Sequence, residues 1–600
     1  MIYLIVGHRG TGKTSLLFAL KEEGIQGQFI DLDTYIEQEE KMKIAEIFKK
    51  RGEAVFRQLE ISYLNSLVNK YRGSATGTFI ALGAGFVGPL PEGTHTIWLR
   101  RSSDKMGRIF LDRPRLLKIQ SSIEEYHHFF EKREKRYAKW ADEIIERPEG
   151  LKSSLCLGEK LFWGLESPMV GGVLILMPEF LQSELAANQY LKKRLNWKGV
   201  MFELREDLLS RDQIQWVCRM IPYQRRLVSV RKSRQANWAR LMAKAWDWAL
   251  ELGLPPEGGE PPPILSQHNR RGQSLCVVLD QLSEVGKKWP FATLKLAVEI
   301  NSFEELKEGH QWWLVDPHRR VFLPRSSTGR WSWYRQLMGQ KMNLAFWREG
   351  PGSAADQPTL SEWLAIPDGW EKFAAVLGDP ISHSWTPVEQ GAYFAQRKMP
   401  VVAIQMGTEE LSEKTLEFLS ELGLAAAAIT SPLKVKAKSV AFERDQLVKE
   451  LGSANTLVLR EEGKWAAYNT DREGLKALLE KVPTEAEVAV WGGGGTRGVL
   501  QKLLPAARFY SARKGELLDG SDDLDFRPSI LIWAVGRSHQ PTSKWPNREW
   551  APQLVIDLNY TSDSPGREYA EKCGAQYKTG EQMFKAQAEV QQQIWNANFI

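Results

Sequence analysis

The chain has 600 residues, of which 43% are hydrophobic and 26% are charged, and its formal net charge is only +6. This length predicts three or four domains of about 150–200 residues each, with the composition of an ordinary globular protein. So small an excess of positive charge argues against nucleic acid as a partner, and no apolar run approaches the ~20 residues that a membrane span needs.

The four cysteines are far apart in the chain and form no CxxC pair or Cys/His cluster; they are Cys156, Cys218, Cys276 and Cys573. This spacing predicts neither a zinc site nor a disulfide framework, and it fits a reducing cytosol. The apolar run Met1–Val6 is too short for the core of a signal peptide. We therefore expect a cytoplasmic protein without a membrane or nucleic-acid partner. Whether it forms a homodimer is left open by the sequence.

The first motif is Gly7-His-Arg-Gly-Thr-Gly-Lys-Thr14, between an apolar predicted strand, Ile2–Val6, and a predicted helix, Ser15–Lys21. It is a complete GxxxxGK[ST] pattern in the strand–turn–helix setting of a P-loop. The backbone N–H groups of such a loop bind phosphates, the lysine reaches the β- and γ-phosphates, and the threonine hydroxyl holds Mg²⁺. The residues predicted to bind ATP and Mg²⁺ are Gly7, Gly10, Gly12, Lys13, Thr14 and Ser15.

Two carboxylates end the next apolar run, Phe29-Ile-Asp31-Leu-Asp33. We predict that this run ends a strand with two alternating carboxylates, so Asp31 and Asp33 are expected to point to the same side of it. One of the two can serve the metal and the other can orient or deprotonate an attacking hydroxyl; we name Asp31 as the metal ligand.

Further motifs follow in the order Gly52-Glu-Ala-Val-Phe-Arg57-Gln-Leu-Glu60, Ala81-Leu-Gly83-Ala-Gly85, Asp112-Arg113-Pro and Lys132-Arg133. With the P-loop and the paired aspartates, they make the N-terminal region resemble the shikimate kinases. The resemblance implies that shikimate is bound by Arg57, Arg133, Gly83 and Gly85, and that catalysis depends on Lys13, Asp33 and the lid residue Arg113. Ala84 departs from the family, which usually has a third glycine there.

In the middle region, apolar strands alternate with helical patterns from Gly172 onward, which predicts a parallel α/β architecture. Several successive strands end in polar or charged side chains: Glu203 and Arg205, Arg231, His268 and Lys295. Such a series is typical of an active site at the C-terminal face of a barrel. A lysine in an apolar strand is costly to bury as a cation, and the same penalty makes it usable as a nucleophile.

This region resembles the type I 3-dehydroquinate dehydratases, which are (β/α)₈ barrels that act through a lysine Schiff base. The matched residues are Glu203, Arg205, Arg231, His268, Lys295, Arg335, Ser353 and Gln357. The resemblance implies that Lys295 forms the Schiff base, that His268 is the general acid and base, and that Glu203 orients His268. Asn269 departs from the family's usual aspartate, and Lys-Ser-Arg-Gln235 replaces the Glu-Gly-Gly that usually follows Arg231.

Two stretches of the middle region allow other interpretations. The proline-rich run Leu254–Pro263 resembles an interdomain linker, but we interpret it as an internal loop because predicted catalytic residues lie on both sides of it. The basic stretch Arg219–Arg240 could be a nucleic-acid patch. We interpret it as a solvated helix face with buried tryptophans nearby.

In the C-terminal region, a strand (Glu487–Trp491) leads into Gly492-Gly-Gly494-Gly495-Thr-Arg-Gly498 and then a helix, which is a dinucleotide-binding setting. Gly378-Asp-Pro-Ile-Ser-His-Ser384-Trp-Thr386-Pro, Thr430-Ser-Pro-Leu-Lys434, Asn455-Thr and Asn469-Thr-Asp471 precede it, and Met583–Ala588 closes the region. Together these motifs resemble the shikimate dehydrogenases.

The resemblance implies that Lys434 and Asp471 are the catalytic pair beside the oxidised hydroxyl. The implied substrate-binding residues are Ser384, Thr386, Thr430, Asn455, Tyr560 and Gln587. The cofactor would be held by Gly492, Gly494, Gly495 and Arg513, and a cation at Arg513 favours NADP(H) over NAD because it can meet a 2′-phosphate.

The predicted organisation is therefore α/β multidomain: a P-loop kinase domain (1–165), a (β/α)₈ barrel (166–370), and an α/β substrate domain plus a Rossmann domain (371–600, Rossmann part about 475–575). The three resemblances fall on consecutive steps from 3-dehydroquinate through 3-dehydroshikimate and shikimate. Their order resembles the C-terminal three modules of the pentafunctional AROM polypeptide. Fungal quinate-pathway repressors share these modules as sensors, so a regulatory protein with inactive sites is the alternative.

Overall fold

A computed structural model describes residues 1–101, 122–147, 155, 172–195, 197, 199–232, 239, 242–255, 261–367, 369–381, 384, 386–460, 463–518, 525–536, 544–560 and 564–598. The chain divides into two compact units: Met1–Trp370 with Phe394–Pro400, and Glu371–Tyr393 with Val401–Ile600. The predicted domain boundary at 165/166 lies outside the described residues. In the described ranges, no helix combines the length and apolar character that crossing a membrane requires.

The first sheet has five parallel strands in the order β2-β3-β1-β4-β5. They are β1 (Ile2–Val6), β2 (Gly27–Asp31), β3 (Gly77–Ala81), β4 (Thr94–Arg100) and β5 (Glu143–Glu146). The helices of this region are α1 (Lys13–Glu22), α2 (Leu32–Glu39), α3 (Ile44–Arg51), α4 (Glu53–Tyr71) and α5 (Ser122–Trp140). Leu4 and Ile5 of the central strand belong to separate apolar clusters, so both faces of the sheet are buried.

One predicted boundary in this region is wrong. The strand that carries the paired aspartates ends at Asp31, and Asp33 lies in the first turn of α2. The physical reason is that the Asp31 carboxylate accepts the backbone N–H of Thr34 and thereby caps the helix. The two carboxylates are therefore not alternate residues of one strand.

The second sheet has eight strands in the order β12-β11-β10-β9-β8-β7-β6-β13, and every neighbouring pair is parallel. They are β6 (Gly172–Ile175), β7 (Met201–Arg205), β8 (Arg226–Val230), β9 (Ala245–Ala249), β10 (Ile264–Gln267), β11 (Thr293–Leu296), β12 (Arg320–Phe322) and β13 (Ala345–Trp347). The last strand pairs with the first. Parallel neighbours place the C-terminal ends of all these strands at the same edge.

Helices separate most of these strands. They are α6 (Glu184–Arg194), α7 (Arg211–Met220), α8 (Leu275–Lys288), α9 (Phe303–Val315), α10 (Ser332–Gly339) and α11 (Leu360–Leu364). Tryptophans contribute large buried side chains to this region, among them Trp248, Trp331, Trp333 and Trp347.

The second unit contains two sheets. The first has the order β15-β14-β16-β18-β19-β17, with β18 antiparallel to both neighbours. Its strands are β14 (Phe373–Gly378), β15 (Val401–Gln405), β16 (Leu424–Ile429), β17 (Glu443–Arg444), β18 (Thr456–Leu459) and β19 (Trp465–Tyr468). Its helices are α12 (Thr386–Ala395), α13 (Glu413–Glu421), α14 (Lys434–Val440), α15 (Gln446–Leu451) and α16 (Asp471–Leu479).

The other sheet of this unit has the order β22-β21-β20-β23-β24-β25, in which only the short β22 is antiparallel to its neighbour. Its strands are β20 (Val488–Gly492), β21 (Arg508–Ser511), β22 (Glu516–Leu517), β23 (Ile530–Ala534), β24 (Leu554–Asp557) and β25 (Gln576–Lys578), and its helices are α17 (Arg497–Leu503), α18 (Pro565–Cys573) and α19 (Glu581–Asn596). Val490 and Trp491 of the central strand enter different apolar clusters, so both faces are covered, as in a dinucleotide-binding sheet.

Candidate active sites

The P-loop begins where β1 ends, near the middle of the first sheet. Gly10 and Gly12 have φ angles of 82° and 92°, a left-handed conformation that glycine adopts without strain. The Lys13 ammonium donates hydrogen bonds to the carbonyl oxygens of Gly7 and His8, at 2.9 and 3.1 Å. The lysine is therefore folded over the loop whose N–H groups are predicted to bind phosphates.

Thr14 and Ser15 lie in the first turn of α1. The Thr14 hydroxyl donates to Asp31 Oδ2 at 2.5 Å, which brings two oxygens of the kind that Mg²⁺ prefers together at the end of the loop. Among the described residues, no group of three or more His, Cys, Asp and Glu side chains could hold a metal. One or two protein oxygens suffice at phosphoryl-transfer sites, where phosphates and water complete the octahedron, so this pair fits Mg²⁺.

The half-buried carboxylate of Asp33 and the buried one of Glu60 meet at Gly83. A Cβ atom built on Gly83 would lie 2.9 Å from Asp33 Oδ1 and 3.0 Å from Glu60 Oε1. Burial, reinforced by the charge of Asp31, raises the pKa of Asp33. Burial also raises the pKa of Glu60 to about 7, although the neighbouring Arg57 opposes this. A glycine at this position leaves space for both acids; Glu60 was not among the predicted site residues.

The Arg57 guanidinium lies next to Gly85, two residues after Gly83. It donates to Glu60 at 2.7 Å and to Glu53 at 2.8 Å, and a Cβ on Gly85 would come within 2.7 Å of it. Arg133 stacks on the ring of Phe129 at 4.5 Å. Arg113, predicted as the lid residue, lies outside the described residues.

One cavity of about 240 Å³ lies at the C-terminal edge of the eight-stranded sheet. Every residue predicted for the middle region lines it: Glu203, Arg205, Arg231, His268, Lys295, Arg335, Ser353 and Gln357. Arg231 and His268 each follow the last residue of a strand, and Lys295 lies one residue before the end of β11. The lining also includes Glu251 and Arg325, which sequence reasoning did not single out.

Lys295 is buried in this cavity with a carboxylate that the sequence reasoning missed. Its ammonium contacts Asp247 Oδ2, and Arg231 donates to the same oxygen at 2.6 Å. Lys295 also lies 4.4 Å from the ring centre of Phe346. Burial lowers the pKa of Lys295, Asp247 opposes that shift, and the charge of Arg231 adds to it. The site therefore shifts Lys295 toward the neutral amine that can act as a nucleophile.

The partner of His268 is Glu251, not Glu203 as predicted. His268 Nδ1 lies 3.5 Å from Glu251 Oε2, while Glu203 accepts a hydrogen bond from Ser229 at 2.5 Å. The reason is the strand order: β9, which leads into Glu251, pairs with the strand that ends at His268. Burial and the charge of Arg231 lower the pKa of His268 to about 4, so the imidazole is neutral near pH 7.

Arg335, Ser353 and Gln357 also line the cavity. Gln357 Oε1 accepts from the backbone N–H groups of Ser353 and Ala354, at 2.9 and 3.2 Å, which fixes the loop that follows β13. Burial lowers the pKa of Arg335 to about 10, a value at which it stays a cation at neutral pH. Buried cations in a small polar cavity are suited to an anionic substrate.

In the second unit, Lys434 and Asp471 form an ion pair at the starts of α14 and α16. Lys434 Nζ lies 2.6 Å from Asp471 Oδ2, and the Asn455 amide donates to Asp471 Oδ1 at 2.9 Å. Gln591 in turn donates to the backbone oxygen of Asn455 at 3.3 Å. Gln591 was not predicted, because its contact with Asn455 spans most of the C-terminal region.

The other predicted substrate residues lie on separate segments of this unit. Thr430 follows β16, Thr386 begins α12 and donates its N–H to the Ser384 hydroxyl at 3.3 Å, and Gln587 is on α19. The Tyr560 ring packs against that of Phe584, 5.2 Å away.

The glycine turn after β20 lies next to the ion pair. Gly492 and Gly494 have φ angles of 90° and 34°, and a Cβ on Gly495 would lie 3.9 Å from the Lys434 side chain. Arg513 is exposed in the turn that follows β21. A tight glycine turn at one end and an exposed cation at the end of the adjacent strand fit a dinucleotide with a 2′-phosphate.

Comparison with known proteins assigns a family to the N-terminal and the C-terminal region. A family model for the shikimate dehydrogenase substrate binding domain matches residues 376–457. The shikimate dehydrogenase (NADP(+)) of Lysinibacillus sphaericus is 31% identical over 261 residues, which cover 38% of this chain and 94% of that protein. The chain belongs to the shikimate dehydrogenase family. A shikimate kinase model matches residues 9–156, so a shikimate kinase domain is also present.

Other shikimate dehydrogenases match over shorter lengths. The enzyme of Prochlorococcus marinus (strain MIT 9301) is 32% identical over 22% of this chain and 47% of its own length. That of Syntrophobacter fumaroxidans is 34% identical over 26% of this chain and 57% of its own length. The chain thus spans about half the length of these two relatives. Shikimate dehydrogenase 1 of Peptoclostridium difficile, a solved structure, is 20% identical with a TM-score of 0.34, over 38% of this chain and 93% of that one. Neither family model extends over residues 157–375.

Proposed function

We propose that the chain is a trifunctional enzyme that converts 3-dehydroquinate to 3-dehydroshikimate, then to shikimate, and then to shikimate 3-phosphate. The kinase and dehydrogenase steps are supported by the family matches at the two ends of the chain. The dehydratase step rests on one observation: the eight predicted residues of the middle region line a single cavity around a buried lysine.

We infer that the middle region is a (β/α)₈ barrel. The support is that all eight strands are parallel, that β6 to β12 are neighbours in chain order, and that the last strand, β13, pairs with the first, β6. The cavity lies at the C-terminal ends of these strands, where barrel enzymes carry their catalytic groups.

The dehydration proceeds through a Schiff base on Lys295. The neutral amine attacks the ketone of the substrate, and loss of water gives an iminium that acidifies the adjacent C–H bond. His268, neutral at rest, removes this proton and then protonates the departing hydroxyl group, so the second water leaves. Hydrolysis of the product imine consumes one water and returns Lys295. The net change is the loss of one water.

The substrate's carboxylate would be bound by the cations of the cavity. Arg335 is almost fully buried there, and Arg231 is held by Asp247, so both are fixed before the substrate arrives. Ser353 and Gln357 would hydrogen-bond its hydroxyl groups from the loop that follows β13. Arg205 also lines the cavity, and it donates a hydrogen bond to Asp207 at 2.6 Å.

For the dehydrogenase step, NADPH supplies the hydride when it is bound at the glycine turn. Lys434 and Asp471 hold the substrate oxygen and deliver its proton, because the ion pair lies beside Gly495 of that turn. The named function of the Lysinibacillus relative, with NADP(+), supports this cofactor. Arg513 would contact the 2′-phosphate, while Thr430 and Asn455 line the substrate.

For the kinase step, ATP with Mg²⁺ supplies the phosphoryl group. Gly10, Gly12 and Lys13 would hold its phosphates, and Thr14 with Asp31 would hold the metal. Asp33 would accept the proton of the attacking hydroxyl, since burial raises its pKa and makes it a better base than an ordinary aspartate. Arg57 would bind the shikimate carboxylate.

Borohydride trapping tests the dehydratase proposal. Incubation of the full chain with 3-dehydroquinate and sodium borohydride should give a reduced covalent adduct, and peptide mass spectrometry should place it on Lys295. The K295R variant is the matched control, because it keeps the charge and abolishes the amine. Absence of an adduct from the wild-type chain, or its occurrence on another lysine, would overturn the assignment.

A sensor would bind the same ligands without turnover. That alternative predicts eroded catalytic groups, whereas the lysine–carboxylate pairs of the middle and C-terminal regions are in contact. Multiple turnovers in the absence of borohydride separate an enzyme from a sensor.

A further inference from the structure

Glu251 is a half-buried carboxylate at the end of β9 that the proposed mechanism does not use. It lies in a short helical turn, Leu250–Leu252, directly after the strand. One of its oxygens, Oε1, accepts the backbone N–H groups of His268 and Asn269, at 2.5 and 2.8 Å. The same oxygen accepts the Gln267 amide at 3.0 Å. A single carboxylate oxygen therefore holds the segment that carries His268.

The other oxygen of Glu251 faces the imidazole. Oε2 lies 3.5 Å from His268 Nδ1, and both atoms are buried without another hydrogen-bond partner. Buried polar atoms of this kind are costly unless they pair with each other. Contacts that align catalytic groups are often long before substrate binds and shorten afterwards. The geometry therefore makes Nδ1 the donor to Glu251 and leaves Nε2 as the basic nitrogen.

We propose that Glu251 is the positioning residue for His268: it fixes the tautomer with the proton on Nδ1 and holds the imidazole so that Nε2 can exchange a proton with the substrate. This inference rests on the proposed dehydratase function. It replaces the role that the sequence assigned to Glu203, whose carboxylate is bound by Ser229 instead.

The electrostatic surroundings agree with this assignment. The charged groups around His268 are Glu251, Arg231, Lys295 and Asp247. Burial alone would raise the pKa of Glu251, but its bonds to the His268 side chain and backbone lower it to about 2. Glu251 is therefore an anion throughout the neutral range and a constant acceptor for the Nδ1 proton.

The chain offers a matched control in Glu206. Its carboxylate also holds the segment after a neighbouring strand, because it accepts the backbone N–H groups of Arg231 and Lys232 at 2.7 and 2.6 Å. It makes the same kind of loop contact at the edge of the same sheet, with the backbone of Arg231 and Lys232 instead of that of His268 and Asn269. E206Q therefore reports the cost of loosening a loop, whereas E251Q adds loss of the imidazole's partner.

The test is ring-nitrogen NMR of the full chain with ¹⁵N-histidine, near pH 7, for wild type, E251Q, E251D and E206Q, with the His268 signals assigned from H268N. We expect a protonated Nδ1 and an unprotonated Nε2 in wild type, a mixed tautomer in E251Q, and the wild-type pattern in E251D and E206Q. An unchanged tautomer in E251Q overturns the assignment, as does an equal change in E206Q.

Steady-state dehydration by the same variants ties the tautomer to catalysis. E251Q should lower kcat about 10- to 100-fold with little change in KM, and E251D should recover most of it. A rise in KM with kcat unchanged would overturn the positioning role. If wild type itself forms no adduct at Lys295, the proposed function fails; the NMR result then still decides whether Glu251 sets the state of His268.

Discussion

The middle region and the second unit each contain a lysine in contact with an aspartate, yet the two pairs differ in their surroundings. The Lys295 side chain is 3% exposed and that of Lys434 is 18% exposed, while both aspartates are fully buried. Asp247 gives one oxygen to both Lys295 and Arg231. Asp471 instead binds the neutral amide of Asn455 through its second oxygen.

This difference fits the two roles that we propose, a nucleophile at Lys295 and a proton donor at Lys434. At Lys295, a second cation on the same carboxylate oxygen weakens the hold of Asp247 and, with burial, lowers the pKa of the amine. At Lys434, one oxygen of Asp471 contacts the ammonium and the other accepts the neutral amide of Asn455, so no second cation shares the carboxylate oxygen. Under the proposed function, the same two residue types would support covalent catalysis in one site and acid–base catalysis in the other.

The largest effect is expected from K295A. Dehydration of 3-dehydroquinate should fall by on the order of 10⁴-fold, because no other group forms the Schiff base. Shikimate oxidation with NADP⁺ and phosphorylation of shikimate should stay within about two-fold of wild type. Separate assays of the three steps on one preparation measure this; a loss of all three would mean that the variant misfolds.

K434A should remove only the Lys434–Asp471 ion pair and leave the Lys295–Asp247 pair intact. Dehydrogenase activity should fall about 10²- to 10⁴-fold, the range for a lost general acid or base. Dehydratase activity is the internal control. Residual dehydrogenase activity above a tenth of wild type would contradict the role given to Lys434.

D247N tests whether the shared carboxylate stabilises the cavity. It leaves two buried cations without their anion, which should destabilise the strands around it by about 3–5 kcal/mol. Hydrogen exchange of the β9 and β11 amides measures the local loss. D471N is the comparison, and it should cost less because only one, partly exposed cation loses its partner. Equal protection in D247N and wild type would show that the ion cluster is not structural.

R231M tests the origin of the lowered lysine pKa, and its expected effect is the smallest. Removing a positive charge beside Lys295 raises the pKa of the amine, so the rise of kcat/KM with pH should move to higher pH by about one unit. R231K keeps the positive charge, so the rise of kcat/KM should stay at the wild-type pH, although the KM of this variant is expected to increase. A shift toward lower pH would contradict the electrostatic explanation.

The residues that line the cavity could be predicted from the sequence better than the contacts between them. Lys295 and His268 could be located because polar groups at the ends of apolar strands are conspicuous. Asp247 could not be located in this way, because Ala-Trp-Asp-Trp-Ala also fits a strand with one face in solvent. The alternation of residue types does not by itself say which face of the strand is buried. The Glu251–His268 contact depends on which strands are neighbours, and that is a tertiary property.

Local chemistry explains the error at the second strand of the kinase domain. Alternating apolar and acidic residues through Asp33 fit a strand, but an aspartate is also a preferred N-cap. Here the cap at Asp31 decides the conformation and moves Asp33 onto a helix. In the second unit, Gln591 is a polar residue inside an amphipathic helix, and nothing short-range distinguishes it from its solvated neighbours.

The central claim is that one chain carries three consecutive reactions. The most direct measurement supplies the purified full chain with 3-dehydroquinate, NADPH, ATP and Mg²⁺, and follows the products by mass spectrometry. Shikimate 3-phosphate should form, with one NADPH oxidised for each molecule made, and K295A should form it only when 3-dehydroshikimate is supplied instead. Persistence of 3-dehydroquinate in the wild-type reaction, while added 3-dehydroshikimate is converted, would contradict the claim.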